Sequence, residues 1–267
     1  MHPTSRSLPL FFAGAFLFTW LLQAPALLAK LGYIQADPVA LLPLALLGVL
    51  GPAASATAVS AWEGGPAAVR RLFASMTAGR APIWLYGVAL LVPGVLLTAV
   101  LWLLRLAGRE GPIAYVPDAA HFVVAFVVAF GEELGWRGFA LPRLQARLAP
   151  FAASGLIGVL WTLWHIPMFV AVGIPLSLLL VMTLYFTGGS LFFTWLFNRS
   201  RGSVLLMICA HVGAHLNNSH AALPGDRLPL VVNAVVYALL GFVLMRQSLS
   251  LSPPLEKSGS RWIRRSF

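Results

Sequence analysis

Residues 130–137 read FGEELGWR and lie inside the apolar run 118–140. A helix needs about 20 mostly apolar residues to cross the hydrocarbon core of a bilayer, and this run is long enough. Ionisable side chains at that depth are costly, and by default they mark a functional site. The stretch therefore predicts a membrane-spanning helix that carries three functional charges, on Glu132, Glu133 and Arg137.

The composition of the whole chain supports a membrane fold. Of its 267 residues, 59% are hydrophobic and only 10% are charged, and the mean hydropathy is +0.85. A soluble domain has about 25% charged residues, so a water-soluble globule is excluded. A disordered chain is also excluded, because disordered segments are poor in apolar residues.

Further apolar runs lie on both sides of this helix, and they predict an all-α, polytopic transmembrane helix bundle with about eight spans. The predicted spans are 8–29, 38–62, 82–107, 118–140, 151–172, 175–197, 202–217 and 228–246. The first run is longer than the apolar core of a usual signal peptide, so we expect it to be retained as a helix.

The distribution of positive charge predicts the topology. Eight spans place both termini on one side, and most of the 18 Lys and Arg residues then fall on that side. The opposite side carries only Lys30, Arg105, Arg109 and Arg227. Positive residues accumulate on the cytoplasmic side, so we expect cytoplasmic N- and C-termini in a cell (inner) membrane. The charge thus indicates topology, and we expect no nucleic-acid partner because no basic face with interleaved aromatics is present.

The spacing of the charges in FGEELGWR assigns them different roles. Glu133 and Arg137 are four residues apart, so their side chains meet on one helical face and can pair. Glu132 points about 100° away from Glu133, which leaves it available for chemistry. Gly131 and Gly135 are also four apart, and small residues at this spacing let a second helix approach closely. An ion pair at a helix end, with both glutamates in cytoplasmic water, is the structural alternative.

Three histidines lie in later apolar runs. His165 is followed by Pro167, which loosens the backbone and can aim the ring into a cavity; a buried core histidine is the alternative. His211 and His215 are four residues apart on one helical face, where they can hold a metal or direct two N–H donors at one oxygen. His121, near a span end, is expected to face water.

These motifs together resemble the CPBP family of intramembrane proteases, which comprises the type II CAAX prenyl endopeptidases and bacteriocin-processing and immunity relatives. The resemblance covers roughly residues 118–245 and rests on Glu-Glu-x-x-x-Arg, aromatic-x-x-x-His and His-x-x-x-Asx in successive order. It implies a CPBP-like catalytic core at 118–246. From the apolar runs and the charges, we expect three N-terminal membrane helices in 1–117 before this core and a basic cytoplasmic tail at 247–267 after it.

The resemblance also implies roles for the site residues. Glu132 matches the general base, His165 its partner in holding the attacking water, and His211 the residue that stabilises the oxyanion, while Glu133 and Arg137 complete the first motif. This chain departs from the pattern twice. Trp161 stands where the second motif usually has Phe, and His215 stands where the third usually has Asn. His215 could keep the oxyanion role, add a metal ligand, or mark a member that has lost hydrolysis.

The leading hypothesis is therefore an intramembrane endopeptidase that cleaves a membrane-associated or lipidated peptide with water activated by Glu132. Glu132, His165 and His211 could also hold Zn²⁺ with one open position, and a metal-free mechanism fits these residues equally well. Two alternatives stay open. One is a non-catalytic membrane scaffold or immunity protein of the same fold, and the other is a proton-coupled transporter.

Overall fold

The structure is a computed structural model that describes residues 6–77, 81–109, 118–216 and 227–251. Every regular element in these ranges is helical, which confirms the predicted all-α fold. The α-helices are α1 (Ser7–Lys30), α2 (Leu42–Leu47), α3 (Gly51–Ala74), α4 (Ile83–Leu106), α5 (Ala119–Gly135), α6 (Leu141–Gln145), α7 (Pro150–Trp164), α8 (Ile166–Ala171), α9 (Leu179–Arg199), α10 (Val204–His215) and α11 (Leu228–Leu251).

Six helical segments in the described residues are long and apolar enough to cross a membrane, which confirms a polytopic helical bundle. α7 and α10 are apolar but shorter, with 15 and 12 residues. At a rise of about 1.5 Å per residue they extend about 22 Å and 18 Å, less than a hydrocarbon core of about 30 Å. The predicted span 151–172 is divided at His165 into α7 and α8, the predicted span 202–217 contains the shorter helix α10, and the count of eight stays a prediction.

Two of the long segments are interrupted. α3 kinks at Gly64 and Gly65, where Gly65 has a φ of +60° that disfavours a side chain. The kink lies just beyond residue 62, where the span is predicted to end, and a second helical stretch leads from the kink to Ala74. The exact end of the span stays a prediction. α5 continues through a π-helical turn at Trp136–Ala140 into α6. Such turns are rare and occur often at functional sites.

The helix pair α3–α5 packs closely because two glycines of α5 lack side chains. A Cβ atom on Gly135 would lie 2.4–2.6 Å from atoms of Pro52, and one on Gly131 would lie 2.7 Å from the carbonyl oxygen of Val49. The close helix approach predicted for this glycine pair is confirmed. It fixes the turn of α5 that carries Glu132 and Glu133 against the start of α3.

The remaining packing surrounds α9 and α10. α9 packs against α7 and α11, and α10 packs against α4 and α5. Glycines again mark the closest approaches: a Cβ on Gly158 of α7 would lie 2.5 Å from Thr187 of α9, and one on Gly213 of α10 would lie 2.5 Å from the carbonyl oxygen of Leu90 in α4. α5, α7 and α10, which carry the predicted site residues, are held by these neighbours.

An ion pair away from the predicted site ties the first helices to α6. Arg143 donates to Glu63 of α3 at 2.8 Å, and Ser7 of α1 donates to the other carboxylate oxygen. The guanidinium of Arg143 also lies 3.6 Å from the ring centroid of Phe139. These contacts connect α1, α3 and the end of the α5–α6 segment.

Several predictions fall on the chain ends. Residues 1–5 and 252–267 lie outside the described residues, so the cytoplasmic placement of both termini stays a prediction. α11 runs to Leu251, beyond the predicted start of the tail at residue 247. The proposed divisions 1–117, 118–246 and 247–267 likewise stay predictions.

Candidate active site

The two glutamates of α5 are buried and have different partners, as their spacing predicts. Glu132 is 1% exposed and Glu133 is fully buried. Arg137, also fully buried, donates from Nη1 to Glu133 Oε1 at 2.9 Å, which confirms the predicted pair four residues apart. The alternative of two glutamates in open water at a helix end is wrong, because neither carboxylate reaches the surface.

Glu132 contacts α7. The indole N–H of Trp161 donates to Glu132 Oε2 at 2.5 Å, and His165 Nε2 lies 3.9 Å from Glu132 Oε1. The two carboxylate oxygens therefore have different neighbours. Oε2 is occupied by a donor, whereas Oε1 faces an imidazole nitrogen across a gap wider than a direct hydrogen bond.

The break between α7 and α8 positions His165. α7 ends at Trp164 and α8 begins at Ile166, with Pro167 as its second residue. Proline cannot donate its backbone nitrogen and favours the first turn of a helix, so a new helix starts here. The predicted loosening beside Pro167 is confirmed.

The protonation of His165 follows from its backbone contact. His165 Nδ1 lies 2.8 Å from the carbonyl oxygen of Trp161, which can only accept a hydrogen bond. Nδ1 must therefore carry a proton. In the neutral ring Nε2 is then an acceptor, and this is the nitrogen that faces Glu132.

Helix α10 brings His211 to the same site, through a contact that the sequence did not predict. His211 Nδ1 lies 2.7 Å from Glu133 Oε1, the oxygen that also accepts from Arg137. The carboxylate assigned only a structural pairing with Arg137 thus also orients an imidazole. No local sequence signal could have indicated this, because the two residues are 78 positions apart.

His215 and His121 lie beyond His211. The ring of His215 stacks on that of His211 at a centroid distance of 5.1 Å and an interplanar angle of 5°. His121, in the first turn of α5, is half-buried, and its Nε2 lies 2.7 Å from the backbone carbonyl oxygen of His215. His121 thus keeps part of its surface exposed, as predicted, and also contacts the backbone of α10. By sequence spacing Asn218, seven residues after His211, would extend the same helical face, but it lies outside the described residues.

Trp161 links the side chains from the three helices. Its ring contacts His211 edge-on at a centroid distance of 5.6 Å, and the Arg137 guanidinium lies 4.3 Å from its centroid. The sequence identified this position only as an aromatic exchange. The signal that was missed is chemical, because an indole has a hydrogen-bond donor and a phenyl ring has none.

The predicted zinc ligands do not form a metal-binding cluster. Within residues 6–77, 81–109, 118–216 and 227–251, no three His, Cys, Asp or Glu side chains are grouped so that they could hold a metal ion. Glu132 and His165 are neighbours, while His211 is directed to Glu133. These residues do not fit a three-ligand zinc site in this arrangement, and zinc stays a prediction.

Two comparisons with known proteins cover this region. Residues 119–217 match the family of Type II CAAX prenyl endopeptidases described as Rce1-like. The resemblance to the CPBP proteases is confirmed. The Rce1-like segment contains every predicted site residue, from Glu132 in α5 to His215 at the end of α10.

A relative extends the similarity beyond the Rce1-like segment. A CAAX prenyl protease 2 from Methanococcus maripaludis is 28% identical over 174 residues. The alignment covers 59% of this chain and 64% of the relative, which is a little less than two thirds of its length. The chain is thus a multi-pass membrane protein with an Rce1-like helical segment.

Proposed function

We propose that this protein is an intramembrane endopeptidase in which Glu132 activates a water molecule held together with His165. The observation that carries this proposal is the pairing of Glu132 Oε1 with His165 Nε2 at 3.9 Å, in a buried site that joins α5 and α7. The Rce1-like match over the same helices supports a proteolytic function.

The gap between the two atoms suits a bridging water. An ionised carboxylate and the Nε2 of a neutral imidazole are both acceptors, so they do not bond to each other directly. A water molecule can donate one hydrogen to each of them, and contacts longer than about 3.5 Å between polar atoms are often bridged in this way. The oxygen lone pairs of that water are then directed away from both acceptors and towards a substrate carbonyl.

Hydrolysis would proceed by general base and then general acid catalysis. The water oxygen attacks the scissile carbonyl carbon while Glu132 Oε1 takes the water proton, and the carbonyl oxygen becomes an oxyanion. Glu132 then returns the proton to the amide nitrogen, the C–N bond breaks, and the products are a carboxylic acid and an amine. The acid then gives its proton to the amine, which leaves a carboxylate and an ammonium group. General base catalysis of this kind typically contributes about 10²–10⁴ to the rate.

His211 and His215 are the proposed donors to the oxyanion. Because the Nδ1 proton of His211 is directed to Glu133, Nε2 of His211 can donate only when the ring is doubly protonated. The negative charge that develops on the oxyanion would favour this charged form, whereas the buried Arg137, which shares Glu133 Oε1 with His211, opposes it. His215, stacked on His211, would supply the second donor.

The substrate class follows from the place of the site among membrane helices. We propose that the protein acts in a cell membrane with both termini cytoplasmic, and that its substrate is a membrane-associated or lipidated peptide. The relative is named a CAAX prenyl protease, so a peptide ending in a prenylated cysteine, two aliphatic residues and a terminal residue is the first probe to test.

The test uses the full chain in lipid nanodiscs and an internally quenched farnesylated CAAX peptide. Glu132→Gln should lower the cleavage rate by about 10²–10⁴ while leaving thermal unfolding unchanged, because only the base is lost. Glu63→Gln is the matched control, since Glu63 pairs with Arg143 outside the site and its replacement should leave the rate unchanged. Full activity of Glu132→Gln would contradict the proposal.

If the wild-type protein leaves this peptide intact, a CAAX substrate is excluded and the native one must be found in cells. Membrane peptides of a wild-type strain are then compared with those of a Glu132→Gln strain. Peptides that stay uncleaved only in the variant strain identify the substrate. Identical peptide profiles in the two strains would reject the protease function.

A non-catalytic scaffold or immunity protein is the second candidate. Two features favour it. In the neutral His211 ring Nε2 carries no proton and cannot donate to an oxyanion, and His215 has an imidazole where the family motif has an amide. A cellular phenotype that survives combined alanine substitution of Glu132, His165 and His211 would support it. A proton-coupled transporter would instead show pH-driven flux in proteoliposomes and no cleavage.

A further inference from the structure

Trp161 contacts the proposed base through its indole N–H. The side chain is 5% exposed, and its Nε1 donates to Glu132 Oε2 at 2.5 Å. A hydrogen bond from a donor to an ionised carboxylate is shorter and stronger than a bond between neutral groups. The contact therefore fixes the rotation of the Glu132 carboxylate and occupies one of its two oxygens.

The indole ring is itself held from several sides. The Arg137 guanidinium lies 4.3 Å from its centroid, and Phe186 of α9 meets it edge-on at 4.7 Å. Phe193, also on α9, lies at a centroid distance of 6.0 Å. A ring enclosed by a cation and two aromatic side chains has little freedom to rotate, so its N–H has a defined direction.

The backbone of the same residue directs His165. The carbonyl oxygen of Trp161 lies 2.8 Å from His165 Nδ1, and this contact leaves Nε2 facing Glu132 Oε1. Trp161 thus contacts both members of the proposed water-binding pair: its side chain contacts Glu132, and its backbone carbonyl contacts His165.

We infer that Trp161 is a positioning residue: its indole N–H holds Glu132 Oε2, so that Oε1 alone faces His165 and receives the proton of the attacking water. The inference rests on the proposed function. It is particular to this chain, because the Phe that usually stands at this motif position fills apolar space but cannot donate a hydrogen bond.

The first experiment measures the hydrogen bond without any substrate. The protein is labelled with ¹⁵N at its nine tryptophan indoles and studied by NMR in nanodiscs. The Trp161 signal is assigned as the one lost in Trp161→Phe. An N–H that donates to a carboxylate should resonate downfield, and this signal should move upfield in Glu132→Gln. A Trp161 signal that does not move would overturn the inference.

The second experiment removes the donor and keeps the shape. Replacement of Trp161 by benzothienylalanine, introduced by amber suppression, exchanges the indole N–H for sulfur in a ring of nearly the same size. We expect kcat on the cleaved peptide to fall at least about tenfold with KM unchanged, in a protein that stays folded at the assay temperature, because misplaced reacting groups lower the rate of the chemical step. Trp161→Phe should show the same loss of kcat. The control is Trp195→Phe, which replaces a half-buried tryptophan of α9 and should leave kcat unchanged.

The outcomes separate this inference from the function on which it rests. If Glu132→Gln keeps full activity, the proposed function fails and the inference fails with it. If Glu132→Gln is inactive while the benzothienylalanine variant has the kcat of the wild type, the function stands and the inference is overturned. If Trp161→Phe does not fold, the benzothienylalanine variant supplies both the NMR assignment and the kinetic comparison.

Discussion

His211 donates from Nδ1 to Glu133 Oε1 at 2.7 Å, and Arg137 donates to the same oxygen at 2.9 Å. One carboxylate therefore connects the π-helical turn after α5 with an imidazole on α10. Glu133 has two functions in this arrangement: it compensates a buried guanidinium, and it fixes the direction of the His211 ring. The following variants separate these functions.

Loss of the Glu133 charge should destabilise the protein strongly. Glu133→Gln removes the hydrogen-bonded charged partner of the fully buried Arg137, and breaking a buried ion pair in this way typically costs about 3–5 kcal/mol. We expect a clearly lower unfolding temperature by intrinsic tryptophan fluorescence. The double variant Glu133→Gln/Arg137→Met, which removes both charges, should recover much of the loss. Equal unfolding temperatures for Glu133→Gln and the wild type would show that the pair is not formed.

The two nitrogens of His211 can be tested separately. Asparagine places its amide nitrogen near the position of Nδ1, so His211→Asn should keep the bond to Glu133 and unfold like the wild type. It lacks an atom near Nε2, and we expect its kcat to fall by about 10²–10³, the typical effect of removing one oxyanion donor.

His211→Gln is the complementary variant. Its amide group extends towards the Nε2 position and loses the contact with Glu133, so this variant should unfold at a lower temperature than His211→Asn. A His211→Asn variant with the kcat of the wild type would remove Nε2 from the mechanism.

Whether the sequence predicts a contact in this site depends on how far apart its two residues lie along the chain. The Glu133–Arg137 pair and the Gly131–Gly135 approach follow from helical periodicity, and the structure confirms both. The helix break at His165 follows from Pro167. The contacts of Glu133 with His211 and of Glu132 with Trp161 join different helices, and helical periodicity does not specify which faces of α5, α7 and α10 meet. The π-helical turn at Trp136–Ala140 also has no signal in the residue pattern.

The close contact of α5 with α3 should not tolerate a methyl group at Gly135. The Cβ atom of Gly135→Ala would lie 2.4–2.6 Å from Pro52, so the helices must move apart. Overpacking of this kind typically costs about 1–3 kcal/mol, and here it should also lower kcat because α5 carries Glu132. Gly155→Ala in α7 is the matched control.

A Cβ at Gly155 meets nothing within 4 Å. Alanine is also a better helix former than glycine, by up to about 1 kcal/mol. We therefore expect Gly155→Ala to unfold at or above the wild-type temperature, with unchanged kcat. If Gly135→Ala and Gly155→Ala have the same unfolding temperature and the same kcat, helix propensity and not packing determines the effect at position 135.

Metal removal tests the mechanism directly. Because the described His, Cys, Asp and Glu side chains form no group of three that could hold a metal, we expect peptide cleavage to survive prolonged treatment with a chelator. Metal analysis of the purified protein should then show less than one zinc ion per chain. Loss of cleavage on chelation, with recovery after zinc is added, would instead support a zinc-bound water and contradict the metal-free mechanism.

A hydroxyl on α1 should stabilise the end of α7 from which His165 projects. Thr19 Oγ1 accepts from the indole N–H of Trp164 at 2.9 Å and donates to the carbonyl oxygen of Gly48 at 2.7 Å. Thr19→Val keeps the side-chain shape but leaves buried polar groups without this partner, which typically costs about 1–3 kcal/mol. We expect a lower unfolding temperature and a lower kcat, because Trp164 directly precedes His165. Thr57→Val is the control, since its hydroxyl bonds only to the preceding turn of its own helix, at Ala53, and its loss should change neither quantity. A Thr19→Val variant as stable as Thr57→Val would show that α1 does not support the site.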